Sequence, residues 1–184
     1  WWPKHDLWSV LFGNPNCWKA MVSEVLENSQ DDFVLGQEAK IFKHSIPKVA
    51  GNMARGCGWG DSIGMAHRTL GTMGSGGCAV LARKGIGLTT APPKEIPDLC
   101  SHIISFAWAS GFARVGVQLM SICLICSVGM NSTNKSICEC DAVALRTLKC
   151  QSIIAGDWDM TPDALAASRL VNGMICAPEA PTCG

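Results

Sequence analysis

An α/β domain is the fold class this sequence predicts, and three observations predict it. The composition is that of a globular chain, with 48% hydrophobic and 16% charged residues over 184 positions. The first third alternates strand, helix and strand patterns. Late in the chain, Gln151–Asp163 (QSIIAGDWDMTPD) reads as a strand that turns directly into a helix. Its apolar run Ile153, Ile154, Ala155 suits a buried strand, and Gly156 lets the backbone turn or approach another group closely. Asp157 and Asp159 follow two apart, which in extended geometry projects them from one face. Thr161-Pro162-Asp163 then supplies an N-cap, a first-turn proline and a first-turn acid. The plain reading is a strand–turn–helix with solvated acids at its tip. The functional reading is a metal or catalytic site at a strand end.

In chain order, Leu7–Phe12 predicts a short strand that ends in the turn cluster Gly13-Asn14-Pro15-Asn16. Apolar residues at 18, 21, 22, 25 and 26 form the stripe of an amphipathic helix. Asp32–Gly36 is the next strand and delivers Gln37-Glu38 at its end. Glycines at 51, 56, 58, 60, 64, 71 and 74 point to loops across residues 39–75. Ser75–Gly85 is a strand and turn, and the proline-rich stretch 89–97 is an extended loop. Residues 102–124 read as a buried hairpin turning at Ser110-Gly111. Ile137, Cys140, Ala144, Leu145 and Leu148 make a second helical stripe, and a last helix holds Ala164–Val171 before the C-cap Asn172-Gly173.

Composition also bounds function. Formal net charge is zero, which argues against a strong electrostatic field for phosphate backbones. The odd count of eleven cysteines, many inside apolar runs (Cys78, Cys123, Cys126, Cys176), fits buried thiols in a reducing compartment better than a disulfide scaffold. Cys123-x-x-Cys126 and Cys138-x-Cys140 have zinc-ligand spacing, but no histidine neighbours them. The most apolar window, 115–130, is short for a membrane span and contains Gln118, so no membrane association is expected. With no secretory pattern at the N-terminus, the expected location is intracellular, nuclear or cytoplasmic. The start at Trp1 suggests a piece of a longer reading frame.

Taken together, the order of motifs carries more than any one of them. Asn14-Pro-Asn16-Cys-Trp18 follows a first strand and Gln37-Glu38 ends a second. Ser75-Gly-Gly-Cys-Ala-Val-Leu-Ala-Arg83-Lys84-Gly85 forms a third, then Ser121-Ile-Cys123-Leu124 and Gly156-Asp157-Trp158-Asp159-Met160 follow. From about residue 7 to residue 183 the chain resembles the endonuclease/exonuclease/phosphatase superfamily, the DNase I-like enzymes. Within it the chain is most similar to endonuclease domains of non-long-terminal-repeat retrotransposons.

That resemblance implies an α+β four-layer sandwich, two mostly antiparallel sheets flanked by helices. The whole of 1–184 would form one such domain, truncated at its C-terminus. It implies phosphodiester hydrolysis with Mg²⁺, Mn²⁺ being the alternative ion, and DNA as the partner. Glu38 would be the metal ligand, with Asn14 and Asn16 beside metal and phosphate. Asp157 would orient or deprotonate the attacking water.

Departures from the family pattern predict impairment. Cys123 stands where a tyrosine is usual, which removes a hydroxyl that contacts phosphate. Asp159 stands where an asparagine is usual, replacing a neutral donor with an acceptor-only carboxylate. Asp157 and Asp159 then repel each other and the phosphate unless a cation lies between them. The family's late Asp and its Asp-His pair lie beyond Gly184, and losing the His lowers activity by orders of magnitude. The alternative function is therefore a catalytically inactive remnant that binds nucleic acid or protein. Both replacements can arise by single A-to-G changes, and the chain has no tyrosine at all. Mutational decay or transcript editing would produce that pattern. Without the last strands, an open edge predicts poor solubility for residues 1–184 alone.

Overall fold

The computed structural model describes residues 8–41, 46–68, 74–89, 106–113, 117–124 and 152–157, with helical backbone also at 163, 166 and 167. Two four-stranded sheets lie face to face. The first has the order β1 (Val10–Gly13), β2 (Phe33–Gly36), β6 (Cys78–Arg83), β3 (Trp59–Gly64). The second has the order β10 (Ser152–Asp157), β9 (Val117–Leu124), β8 (Phe106–Ala113), β7 (Leu88–Thr89). Each sheet has one parallel junction, β1 with β2 and β10 with β9, and its other junctions are antiparallel. A small ribbon pairs β4 (His67–Arg68) with β5 (Gly74–Ser75).

The two central strands of the first sheet, β2 and β6, are apolar runs because both of their faces are buried. Val34, Ala79 and Leu81 face a helix layer and join Trp18, Met21, Val22, Leu26, Ala50, Ala54 and Trp59 in one core. Phe33, Leu35, Cys78, Val80 and Ala82 face the second sheet and meet Leu119 and Ala155 in the other. Period-two alternation along β2 and β6 thus serves two cores at once.

Among the described residues, the helix layer on the first sheet has two parts. α1 (Trp18–Ala20) runs on as a π-helical segment over Met21–Leu26, where Glu27 N reaches back five residues to Val22 O at 3.0 Å. The predicted stripe is retained, with Trp18, Met21, Val22 and Leu26 buried. α2 (Ile46–Gly56) and β3 lie where glycines pointed to loops, so that expectation is corrected. The glycines serve close packing instead. A Cβ built on Gly51 would lie 2.5 Å from Asp61 Oδ2, so glycine lets α2 approach β3. Gly58, at φ +85°, turns the chain after the helix, and its N–H donates to Arg55 O at 3.1 Å.

Asp61 is also an acid with a perturbed pKa. Burial raises its pKa above the usual carboxylate value, and Arg55, whose Nη1 donates to Asp61 Oδ1 at 2.6 Å, pulls the other way. A raised folded-state pKa favours the fold below the ordinary carboxylate range and loses that contribution as pH rises through the raised value. Removing Arg55 leaves a half-buried carboxylate without its cation. Arg55→Ala is therefore expected to destabilise the chain at pH 7 and to cost less at pH 4, which urea unfolding at the two pH values checks.

At the far end of β3, Trp59 is 1% exposed. Its Nε1 donates to Leu26 O at 3.0 Å, and the Arg83 guanidinium sits 4.5 Å over its ring. Arg83 in turn donates to Asp31 O at 2.9 Å and Ser29 O at 2.6 Å. This cluster bolts the end of the first helical segment to the sheet.

The predicted hairpin is present, but its turn is not at Ser110-Gly111. β8 runs through both residues, pairing Ser110 with Met120 and Gly111 with Leu119. The reversal falls between Ala113 and Val117. The apolar window 115–130 contributes β9 to a sheet, and among the described residues no helix is long and apolar enough to cross a membrane. Cys17, Cys57 and Cys78 carry thiols and not disulfides, with Cys78 fully buried. The predicted helix at 137–148, the Cys126 and Cys138–Cys140 positions, and the tail lie outside the described residues.

Candidate active site

Strand direction assembles the site. Gly60 lies against Leu88, a built Cβ being 3.8 Å from the Leu88 Cβ. Gly60 pairs with Ala82, which pairs with Phe33 at the start of β2. Leu88 pairs with Ala113, which pairs with Val117 at the start of β9. At the other end Ser121 of β9 meets Gly36 and Gln37 just past β2. β2 and β9 therefore run the same way across the interface, and the C-terminal ends of β1, β2, β9 and β10 share one rim.

Two loops of the first sheet reach that rim. After β1, Asn16 N donates to Asn14 Oδ1 at 3.2 Å, closing an Asx turn, and Asn16 itself has φ +63°. Cys17 follows, its sulfur accepting from Ala20 N at 3.5 Å as the cap of α1. After β2, Gln37 N continues the parallel pairing by donating to Gly13 O at 3.0 Å. Glu38 and Lys40 then take φ +55° and +53°. The segment is pinned from several sides. Ala39 N donates to Gly77 O at 3.0 Å, Lys40 N to Gly76 O at 2.8 Å, and Trp18 N to Ala39 O at 3.0 Å. Gly77, at φ +88°, must be glycine: a Cβ there would lie 3.1 Å from Lys40 N and 3.2 Å from Ala66 Cβ. The Ser75-Gly76-Gly77 motif thus supports the Gln37-Glu38 loop mechanically.

Asn16, Glu38 and Lys40 are the non-glycine residues with positive φ among the described residues. Each such conformation costs roughly 1–3 kcal/mol and persists only where the surroundings over-determine it. Their side chains also meet. The Lys40 ammonium donates to Asn16 Oδ1 and stands 3.7 Å from Glu38 Oε2. A cation is thereby seated between a carboxylate and an amide oxygen. Lys40 was not evident from the sequence, because a left-handed backbone leaves no mark when the residue is neither glycine nor asparagine.

From the second sheet, Asp157 closes β10 and is the direct Cα partner of Cys123 on β9. The two stand side by side at the shared rim. Asp159 lies outside the described residues. Of the six sequence-predicted residues, Asn14, Asn16 and Glu38 gather on the first sheet's loops, with Asp157 and Cys123 on the facing strand ends. No cluster of three or more His, Cys, Asp or Glu side chains occurs among the described residues.

No protein-family model matches the sequence, and no curated protein does. Solved structures do match. ANGEL2, described as a 2′,3′-cyclic phosphatase and solved with adenosine-2′,3′-vanadate, superposes with a TM-score of 0.56 and 12% identity over 84% of this chain and 54% of its own. The 3′ phosphatase NExo from Neisseria, bound to a product DNA hairpin, gives 0.53 and 16% over 85% of this chain and 59% of its own. The catalytic domain of Xenopus laevis APE2 gives 0.51 and 10%, over 83% and 58%. The chain thus spans between 54% and 59% of the length of these structures. At such identities the likeness is one of fold, the DNase I-like fold of nucleases and phosphatases.

Proposed function

We propose that the chain is a divalent-metal-dependent phosphodiester hydrolase domain that nicks DNA, of the non-long-terminal-repeat retrotransposon type, impaired in this copy. One observation carries the reading: Glu38, Asn14 and Asn16 share a rim with Asp157, at the C-terminal ends of four strands in a fold that nucleases use.

The donor set suits a hard cation. Mg²⁺ prefers oxygen ligands and is commonly held by one or two carboxylates, with water and phosphate completing the shell. Glu38 and Asn16 offer a carboxylate and an amide oxygen, and both already meet one cationic group, the Lys40 ammonium. Glu38 would hold the ion with Asn16 next to it. When bound, Mg²⁺ or Mn²⁺ neutralises phosphate charge and polarises the phosphoryl oxygen. Asn14 positions a phosphate oxygen, and Asp157 orients the attacking water and accepts its proton. The test is relaxation of supercoiled plasmid with Mg²⁺ and with chelator. Metal-dependent nicking supports the enzyme, and identical traces in both arms refute it.

The inactive-remnant reading is favoured by Cys123 standing beside Asp157, where the resemblance expects a tyrosine hydroxyl, and by Asp159 in place of an amide donor. Restoring both with Cys123→Tyr and Asp159→Asn is expected to raise nicking by at least about 10²-fold, the usual worth of a transition-state donor. Titration of enzyme against plasmid reads this directly. An unchanged rate would show that other losses dominate.

A further inference from the structure

Packed sheet faces are normally apolar, and at one place this interface is not. Gln37 is 5% exposed and Ser121 0%. Gln37 Nε2 donates to Ser121 Oγ at 3.0 Å and, at longer range, to Leu35 O at 3.4 Å. Ser121 Oγ donates in turn to Gly36 O at 2.8 Å. Two residues 84 positions apart thereby close a ring that grips the peptide between Gly36 and Gln37 from the opposite sheet. Folding gains little from burying polar groups in this way. A hydrogen bond's net worth is small, and an apolar pair of similar volume would avoid the desolvation.

Location gives the ring a purpose. On one side it grips the Gly36–Gln37 peptide, one residue before Glu38, whose backbone is left-handed at φ +55°. On the other, Ser121 pairs with Ala155, two residues before the Cys123–Asp157 pair. Apolar contact between sheets is non-directional and fixes no lateral register. A hydrogen bond requires both distance and angle. We infer that Gln37 and Ser121 are a positioning pair, setting the Glu38 carboxylate at a fixed separation from the Asp157 strand end so that a divalent cation meets its ligands preassembled. The inference rests on the hydrolase reading and goes beyond it, since neither residue is a proposed ligand or substrate contact. Without the Ser121 hydroxyl, the Glu38 loop keeps its backbone bonds to Gly13 and Gly77 but loses this polar tie to the second sheet.

The experiment is Mn²⁺ binding, followed by loss of the free-ion electron paramagnetic resonance signal, with thermal unfolding in parallel. Ser121→Ala and Gln37→Met are each expected to weaken Mn²⁺ binding by about 10-fold, as other outer-shell losses do. The double variant should be no weaker than either single one, because the residues act as a unit. Ser121→Thr, which keeps the hydroxyl, should retain most of the affinity. Val34→Ala, on the helix-facing side of the first sheet, should lower thermal stability and leave Mn²⁺ affinity unchanged. Wild-type affinity in both single variants would overturn the inference, as would losses that merely track stability, with Val34→Ala among them. If Ser121→Ala does not fold, Gln37→Met carries the same test from the other partner. A wild-type chain that neither binds Mn²⁺ nor nicks sinks the hydrolase reading and this inference with it. A wild-type chain that binds while the pair proves irrelevant sinks the inference alone.

Discussion

Glu38→Ala and Asp157→Ala should each abolish Mg²⁺-dependent nicking of supercoiled plasmid while leaving the fold intact. Glu38 is the carboxylate among the described residues that meets both Lys40 and, through it, Asn16. Without it, the remaining amide oxygens hold a hard cation poorly. The expected loss is at least about 10³-fold, combining weaker metal occupancy with lost phosphoryl polarisation. Asp157→Ala removes the proposed base, with an expected loss of about 10²–10⁴-fold. The two should differ in metal dependence: excess Mn²⁺ recovers part of the Glu38→Ala activity and none of the Asp157→Ala activity. Nicking that persists undiminished in either variant would put the chemistry elsewhere. Unchanged far-ultraviolet circular dichroism would show that the loss is chemical and not a loss of fold.

The largest expected effect on stability lies at the other end of β3. Trp59→Ala removes a buried indole, its hydrogen bond to Leu26 O and the surface on which Arg83 rests. A cavity of that size costs about 3–5 kcal/mol, against a total of roughly 5–15 kcal/mol for a domain. The urea midpoint should fall steeply in a single transition. Trp59→Phe, which keeps most of the volume and the cation–π face but loses the N–H donor, should lie between wild type and Trp59→Ala. A Trp59→Ala midpoint within experimental error of wild type would show that the cluster is not the anchor described above.

Much of the fold was legible because its central strands, β2 and β6, are buried on both faces. Phe33–Gly36 and residues 78–82 are buried apolar runs, and the apolar Ile153, Ile154 and Ala155 mark β10. α2 was not legible. Its inward face is Ala50, Gly51 and Ala54, residues too small to make an apolar stripe, and Gly51 is there because Asp61 lies against it. The hairpin turn was misplaced because Ser110-Gly111 has turn chemistry locally, while ladder pairing to β9 carries the strand straight through. The candidate-site residues Glu38, Asn14, Asn16, Cys123 and Asp157 rest on motif order. Lys40 and the Gln37–Ser121 tie could not be read from the sequence. One depends on left-handed backbone angles and the other on a contact spanning 84 residues, and neither leaves a periodic signal.

The backbone at position 38 also has an evolutionary consequence. A glutamate held at φ +55° pays in stability for its placement, and glycine would adopt the same angle without the steric penalty. Selection for folding alone therefore favours losing the acid, and selection for cutting favours keeping it. On the proposed hydrolase reading, a chain released from the need to cut drifts downhill at this position, toward a sturdier and silent descendant.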